Sequence, residues 1–331
     1  MSNKGSLQDV LQQIQAPLAW PDSRGEGVHI AVIDTGIMGT RAEIPAIKQD
    51  IARSWPLPAV RRGRNPWQDP GGHGSMVAAI AAGTTLTQGR YNGVAPDARL
   101  LSCRIDYYDT KEICRIYRYL IDLVNQQAIG RLVINNSYAV QNDTPPIIKL
   151  DDPLVTIIRE AVNTGIVVVF PAGNNHVHRR RLQSHQYNFG TIWGINSLDE
   201  VICVGTVDRN FRLDRLPEPG EVYAHRDSGR GPGQLARQRS KPDCVVPTYG
   251  EVPWGKDYMR RGWWGTSGAA AAVSGLAALM LARNPRLTPG QVQELIRQTC
   301  QPLPLPLVDV GAGVVNCQAA VQAAGATNVP F

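Results

Sequence analysis

Three short segments place a reactive side chain among small residues, at the end of an apolar run or the start of a helix. In Ala31-Val32-Ile33-Asp34-Thr35-Gly36 a carboxylate follows a strand-like run and Gly36 permits a tight turn. Functional groups of open α/β sheets gather beyond the carboxyl ends of strands, where Asp34 is expected. Gly71-Gly72-His73-Gly74-Ser75 sets a histidine between glycines at the head of an apolar helix, so its ring is open to approach. Of the six histidines (His29, His73, His176, His178, His185, His225) only His73 has this setting. Gly265-Thr266-Ser267-Gly268-Ala269 opens an Ala-rich helix, whose free N–H groups and dipole can stabilise developing negative charge at Ser267. Each segment has a plain structural alternative: a turn aspartate, a structural Gly-His-Gly, an N-cap serine. Taken together, carboxylate, imidazole and hydroxyl are the parts of nucleophilic acyl transfer.

The elements that must hold these groups are short and alternate in type. Strands are expected at Val28 to Ile33, Arg99 to Ile105, Leu132 to Asn135, Ile166 to Phe170, Val201 to Thr206 and Asp243 to Val246. They are nearly continuous apolar runs, as strands buried on both faces of a parallel sheet require. Helices are expected at Ser75 to Ala82, Thr110 to Gln127, Pro153 to Asn163, Ser267 to Ala282 and Pro289 to Gln298. This alternation predicts an α/β fold, doubly wound, with a mostly parallel central sheet and helices on both faces. The Pro/Gly/Arg-rich stretch from Arg215 to Gln238 is read as a long surface loop within one domain.

Chain order separates the known versions of this chemistry. Gly-Thr-Ser-Gly-Ala approaches the nucleophile elbow of the α/β-hydrolases, but that fold places its histidine after the serine, and none follows His225. Asp34, His73, Ser267 is the subtilisin order. From about Gln13 to Ala324 the chain resembles the subtilisin-like serine proteases. The resemblance is carried by Gln15-Ala16-Pro17-Leu18-Ala19-Trp20, Asp34-Thr35-Gly36, Gly72-His73-Gly74-Ser75-x-Val77-Ala78 and Gly93-Val94-Ala95-Pro96. It continues through Ile134-Asn135-Asn136-Ser137-Tyr138, Pro171-Ala172-Gly173-Asn174, Lys241-Pro242-Asp243-x-Val245-Val246-Pro247, Gly265-Thr266-Ser267 and Gly311-Ala312-Gly313-Val314-Val315-Asn316.

The resemblance implies a serine endopeptidase with Ser267 as nucleophile, His73 as general base and Asp34 orienting it. It implies Asn174 as the oxyanion side chain, and substrate binding at Ser137, Tyr138, Ala139, Pro171, Ala172 and Gly173, with the peptide added as a strand. Ala139 and Tyr138 depart from the family's usual glycine and small or leucine residues. Gly268-Ala269-Ala270-Ala271 replaces its Met-Ala-Ser/Thr-Pro, so restricted specificity is expected. The alternative reading is a pseudoprotease or scaffold that binds an extended peptide without cleaving it. No cofactor is required for the chemistry. Glu43, nine residues after Asp34, and the loop Thr84 to Asn92 are the candidates for the family's structural calcium. Asp106, Asp109 and Asp143 are candidate subsite carboxylates set against the plainer reading of exposed loop acids.

The family-like start lies within about fifteen residues of Met1. Residues 1–24 are therefore expected to pack as an N-terminal segment, without a propeptide, on a peptidase domain of residues 25–331. The first twenty residues lack the apolar core of a secretory signal. No stretch reaches the ~18 to 20 uninterrupted apolar residues of a membrane span. The six cysteines show no Cys-x-x-Cys spacing and three of them, Cys103, Cys203 and Cys244, occupy strand-like runs, which suits reduced thiols. The expectation is a cytoplasmic enzyme acting on peptide or protein substrates, restrained by a narrow groove, a regulatory partner or assembly.

The chain has 331 residues, 43% hydrophobic and 19% charged, which excludes a disordered chain and a disulfide miniprotein. Its net charge is +6, and 28 of the 34 basic residues are Arg, clustered at 61–64, 179–181, 226–239 and 260–261. No helix-turn-helix, zinc or aromatic-platform signature accompanies them, so nucleic-acid binding is not expected. Solvated loops, a preference for acidic residues on the leaving-group side of a substrate, or a partner-docking patch are the readings left for Arg179-Arg180-Arg181.

Overall fold

The computed structural model describes residues 5–57, 63–106, 108–138, 148–182, 188–217 and 223–328. Six strands, β1 (Val28–Asp34), β2 (Arg99–Arg104), β3 (Arg131–Asn136), β4 (Val167–Pro171), β5 (Ile202–Val207) and β6 (Cys244–Pro247), form one sheet in the order β2-β1-β3-β4-β5-β6. Every neighbouring pair is parallel. The apolar strand runs follow from burial on both sides: Val28, Ile30 and Val32 enter one core, Ala31 and Ile33 the other.

The helices are α1 (Leu7–Gln13), α2 (Ala16–Ala19), α3 (His73–Ala82), α4 (Thr110–Asn125), α5 (Pro153–Asn163), α6 (His176–Leu182), α7 (Gly265–Arg283), α8 (Pro289–Thr299), α9 (Leu307–Val310) and α10 (Cys317–Ala326). One face of the sheet carries α3 and α7, with α1, α2, α8 and α10 around them, and the opposite face carries α4 and α5. This is the doubly wound arrangement the alternation predicts. Small residues let α7 lie close to its neighbours: a Cβ on Gly275 would come within 2.6 Å of the Ala81 carbonyl oxygen. It is the one helix among the described residues long and apolar enough to cross a membrane, and 94% of its apolar window is buried inside the molecule. That is the position of a core helix.

Several elements lie outside the sequence expectations. α1 and α2 bury Leu7, Val10, Leu11, Ile14, Ala16 and Ala19 in the same core as α7, and the Cys317 N–H donates to the Ile14 carbonyl at 2.8 Å. A β-hairpin of β7 (Gly250–Trp254) and β8 (Asp257–Arg261) precedes α7 and packs on α3. Within Arg215 to Gln238, the described residues include buried Ala224, His225, Asp227, Ser228 and Leu235, so that stretch is in part interior and not simply a surface loop. Lys241 and Asp243 form a fully buried ion pair at 2.7 Å, with Gln293 and Arg297 of α8 reaching the same carboxylate. This explains structurally why charged residues stand in an otherwise apolar run.

Strand β1 has β2 on one side and β3 on the other, so successive connections leave it in opposite directions. The crevice this opens at the carboxyl ends of β1 and β3 is where open α/β sheets place ligands. Asp34 closes β1 and Ser137 follows β3 directly.

Candidate active site

Asp34 is buried at its strand end, and both carboxylate oxygens face His73 Nδ1, at 2.9 and 3.0 Å. The Thr35 N–H donates to Asp34 Oδ1 at 2.7 Å and holds the carboxylate in that orientation. His73 is the first residue of α3, after Gly72 in a left-handed conformation with φ 76°. A second buried carboxylate, Asp69, sets this helix start. Its Oδ1 accepts from the Gly72 N–H and the Thr35 hydroxyl, both at 2.8 Å, and its Oδ2 from the Ser75 N–H and hydroxyl at 2.8 and 2.7 Å. Sequence reasoning missed Asp69; an aspartate four residues before the histidine, followed by Pro-Gly-Gly, was the available signal. The imidazole keeps 30% of its side-chain surface open to solvent. Burial lowers its pKa, but the Asp34 charge and hydrogen bond, aided by Asp69, outweigh that and the opposing Arg261, leaving the pKa raised above 6.5. The edge of Trp254, on the β7–β8 hairpin, meets the imidazole at 5.9 Å between centroids, and Arg261 stacks on that indole at 4.0 Å.

Ser267 is the third residue of α7, in the turn whose N–H groups have no intrahelical acceptor. Its hydroxyl donates to the Ser137 carbonyl at 3.3 Å and, among the described residues, makes no hydrogen bond to His73. In the absence of substrate such bonds are often open, and rotation about one torsion redirects the hydroxyl. Asn174 follows Gly173, whose φ of 98° turns the chain out of β4. Asn174 Oδ1 accepts from the Thr266 N–H at 3.0 Å and hydroxyl at 2.6 Å, while that hydroxyl accepts from the Gly173 N–H at 3.2 Å. With its oxygen fixed in this way, the Nδ2 donor end of the amide has no partner among the described residues. Thr266 thereby ties the Asn174 amide to the first turn of α7, one residue before Ser267.

The expected substrate-binding residues divide. Ser137 and Tyr138 continue β3 beside Ser267, whereas Ala139 and Asp143 lie outside the described residues. The Tyr138 hydroxyl donates to Asn136 Oδ1 at 2.8 Å, and its ring meets Tyr108 and Phe170 edge-on. The Pro171 carbonyl accepts from Asn196 Nδ2 at 2.7 Å, the Ala172 N–H donates to Val204, and Gly173 is held by Thr266 and Gly229. These three build a wall beside the serine with most of their backbone groups already paired. Asp109 is the N-cap of α4, accepting from the Lys111 N–H at 2.9 Å, and Asp106 pairs with Arg104 at 3.0 Å. Asp109 thus has a helix-capping role, and Asp106 is exposed with an ion-pair partner.

The calcium expectation fails at Glu43. Its buried carboxylate lies 2.9 Å from Arg41 Nε and accepts from the Arg90 N–H at 2.9 Å and from the Tyr258 hydroxyl. A guanidinium occupies the place where a cation would be needed, and Asn92 is turned inward to accept from the Thr85 N–H. The donor set does not fit calcium. No group of three or more His, Cys, Asp or Glu side chains able to hold a metal occurs among the described residues.

Residues 25–318 match the family model described as Subtilase family. Mycosin-1 of Mycolicibacterium smegmatis is 30% identical over 327 residues, covering 90% of this chain and 68% of that protein. Serine protease AprX of Bacillus subtilis is 27% identical over 330 residues, 90% of this chain and 66% of AprX, so the chain spans just under two thirds of that relative. Subtilisin of Bacillus pumilus is 26% identical over 319 residues, 94% of this chain and 98% of that protein. The crystal structure of MycP1 with its N-terminal propeptide removed matches with a TM-score of 0.66 at 26% identity, over 98% of this chain and 99% of that one.

Proposed function

Because the chain belongs to the subtilase family, whose members are serine endopeptidases, we propose that it hydrolyses peptide bonds through Asp34, His73 and Ser267. The observation that carries this is the two-oxygen contact of Asp34 with His73 Nδ1, set beside an Asn174 amide whose oxygen is held by Thr266. Asp34 keeps the Nδ1–H tautomer and so leaves Nε2 as the base. An incoming strand whose N–H reaches the Ser137 carbonyl takes the acceptor that the Ser267 hydroxyl now uses, freeing that hydroxyl for His73. The Ser267 oxygen attacks the carbonyl as His73 accepts its proton, and the imidazolium returns a proton to the leaving amine. The Asn174 amide and the Ser267 N–H receive the oxyanion. Water then repeats the sequence on the acyl-enzyme.

Restricted specificity belongs to the same proposal, supported by Tyr138 wedged between Tyr108 and Phe170. A cytoplasmic setting is supported by six free cysteines, five of them buried. Control by a protein partner is supported by the likeness to MycP1, described as part of the ESX-1 type VII secretion system.

The test is labelling with a fluorophosphonate together with cleavage of a peptide library. The wild-type protein is expected to label and cut at few sequences, and Ser267→Ala to do neither. A folded wild type that binds peptides but neither labels nor cuts would establish the non-cleaving alternative.

A further inference from the structure

Helix α6 begins two residues after Asn174 and packs on the turn at His225–Asp227, bringing Arg226 and Arg230 beside Arg180 and Arg181. These four arginines, with His176 and Val177, line a concavity of ≈ 410 Å³. Outside that lining, Asp309 Oδ2 lies 3.4 Å from Arg230 Nη1. Among the described residues no acid pairs with Arg180, Arg181 or Arg226. The Nε atoms of Arg226 and Arg230 are buried without a hydrogen-bond partner. Behind the concavity Arg179 is 1% exposed and stacked on Trp193 at 4.1 Å. Among the described residues it makes one side-chain hydrogen bond, to the Thr191 carbonyl at 3.0 Å, and its Nε and Nη2 are likewise unpartnered. No carboxylate among the described residues pairs with it, and burial pushes its pKa down to about 10 against a smaller opposing effect of Tyr223. His176 adds no charge, since burial and then the neighbouring Arg230 and Arg180 depress its pKa to about 3.

Burying guanidinium donors without partners is costly, and arginines on both sides of this opening carry such donors: Arg226 and Arg230 in its lining, and Arg179 on α6. Lined by four arginines, and by no carboxylate among the described residues, the concavity carries an excess of positive charge that a single carboxylate from outside would leave largely unbalanced. Guanidinium forks match the oxygens of a phosphoryl group in pairs, and the volume falls in the range of small-ligand sites, about 300–1,000 Å³.

We infer that this concavity, between α6 and residues 226–230, is a binding site for a phosphoryl oxyanion, free or carried as a phosphoester. The site adjoins the wall of the active site: the Gly229 N–H donates to the Gly173 carbonyl at 2.8 Å, and a Cβ on Gly229 would fall 2.0 Å from the Ala172 oxygen. An anion joining Arg226 and Arg230 to α6 therefore braces the segment that presents Asn174. That second consequence rests on the peptidase reading, whereas the site itself does not.

Binding is measured on Ser267→Ala protein, by calorimetry and thermal shift, with inorganic phosphate, pyrophosphate, a phosphoserine peptide and its unphosphorylated twin, each against sodium chloride at matched ionic strength. Saturable binding of a phosphoryl compound, weakened at least tenfold in Arg180→Ala/Arg226→Ala, is expected. Preference for the phosphopeptide over free phosphate assigns the source as a phosphoester, and equal or better binding of free phosphate assigns the inorganic ion. Protection of Arg226 from phenylglyoxal by phosphate, read by mass spectrometry on the unsubstituted chain, gives the same answer if the double variant fails to fold. No phosphoryl compound exceeding chloride, no protection of Arg226, or equal binding of the phosphorylated and unphosphorylated peptides without binding of free phosphate overturns the site. In active enzyme, a rise in kcat with occupancy is expected; binding that leaves kcat unchanged overturns the bracing while leaving the site in place.

Discussion

At the scale of single residues, the reactive groups announce themselves and their supports do not. Asp34, His73, Asn174 and Ser267 stand in small-residue motifs because each needs open approach and a tight local turn. Asp69, Thr266 and Arg261 act through contacts that only the fold creates, even where, as with Thr266, the residue stands inside a motif. The Asn174 amide, fixed by Thr266, is poised for an oxygen that becomes negative only during reaction. Asn174→Ala is therefore expected to lower kcat about 10²–10³-fold with little change in KM, measured by steady-state kinetics on a peptide substrate. The pH profile tests the electrostatics. His73 must be neutral to act as base, so activity should rise as pH climbs through its raised pKa, above 6.5. Arg261 holds that pKa down against Asp34 and Asp69. Arg261→Gln should accordingly shift the acid limb of kcat/KM to higher pH, and an unmoved limb would contradict the assignment. The sign for stability is opposite: the His73–Asp34 pairing stabilises the fold fully below the unfolded pKa, and that contribution is lost as pH rises through the folded one.

At the scale of elements, the site depends on how closely α3 approaches the end of β1. A Cβ on Gly74 would lie 2.1 Å from the Gly36 carbonyl oxygen, a contact neither backbone can relieve without moving apart. Gly74→Ala is expected to destabilise the protein by about 1–3 kcal/mol and to lower kcat by pulling His73 from Asp34. Gly71→Ala is its control, since the nearest atom to its Cβ would be 3.7 Å away. Thermal unfolding and activity measured on both variants check this. The six parallel strands were legible as unbroken apolar runs, and helices α3, α4, α5, α7 and α8 as the longer amphipathic or Ala-rich segments between them. The β7–β8 hairpin was not. Pro253 and two pairs of charged residues, Lys256–Asp257 at the turn and Arg260–Arg261 after Tyr258 and Met259, hide a strand pattern. What makes it a hairpin is packing on α3, where the Gly255 N–H donates to the Gly72 carbonyl at 3.2 Å. The short α1 and Ala-rich α10 carry too little apolar contrast for their faces to be read without the core they join.

At the scale of the whole molecule, an internal ion pair stands where the family resemblance leads one to look for calcium. Arg41 pairs with Glu43 and also donates to the Gly255 and Asp257 carbonyls at the hairpin turn. Residues near β1 are thus joined to the hairpin that touches His73. Chelation by EDTA is expected to leave the thermal midpoint unchanged. Glu43→Gln should lower stability by about 3–5 kcal/mol by leaving a buried guanidinium uncompensated, as read by denaturant unfolding. A midpoint that falls with EDTA would reverse the assignment. The sequence by itself made the parallel α/β architecture legible and gave the order Asp34, His73, Ser267 on which the proposed triad rests, because apolar runs and glycine-flanked motifs are local properties of the chain. Only the tertiary structure decided what Glu43, Asp69, Asp109 and the arginines do. The partner of a charge is set by which segments meet in space, and Arg41 meets Glu43 while Arg180, Arg181 and Arg226 meet no acid among the described residues.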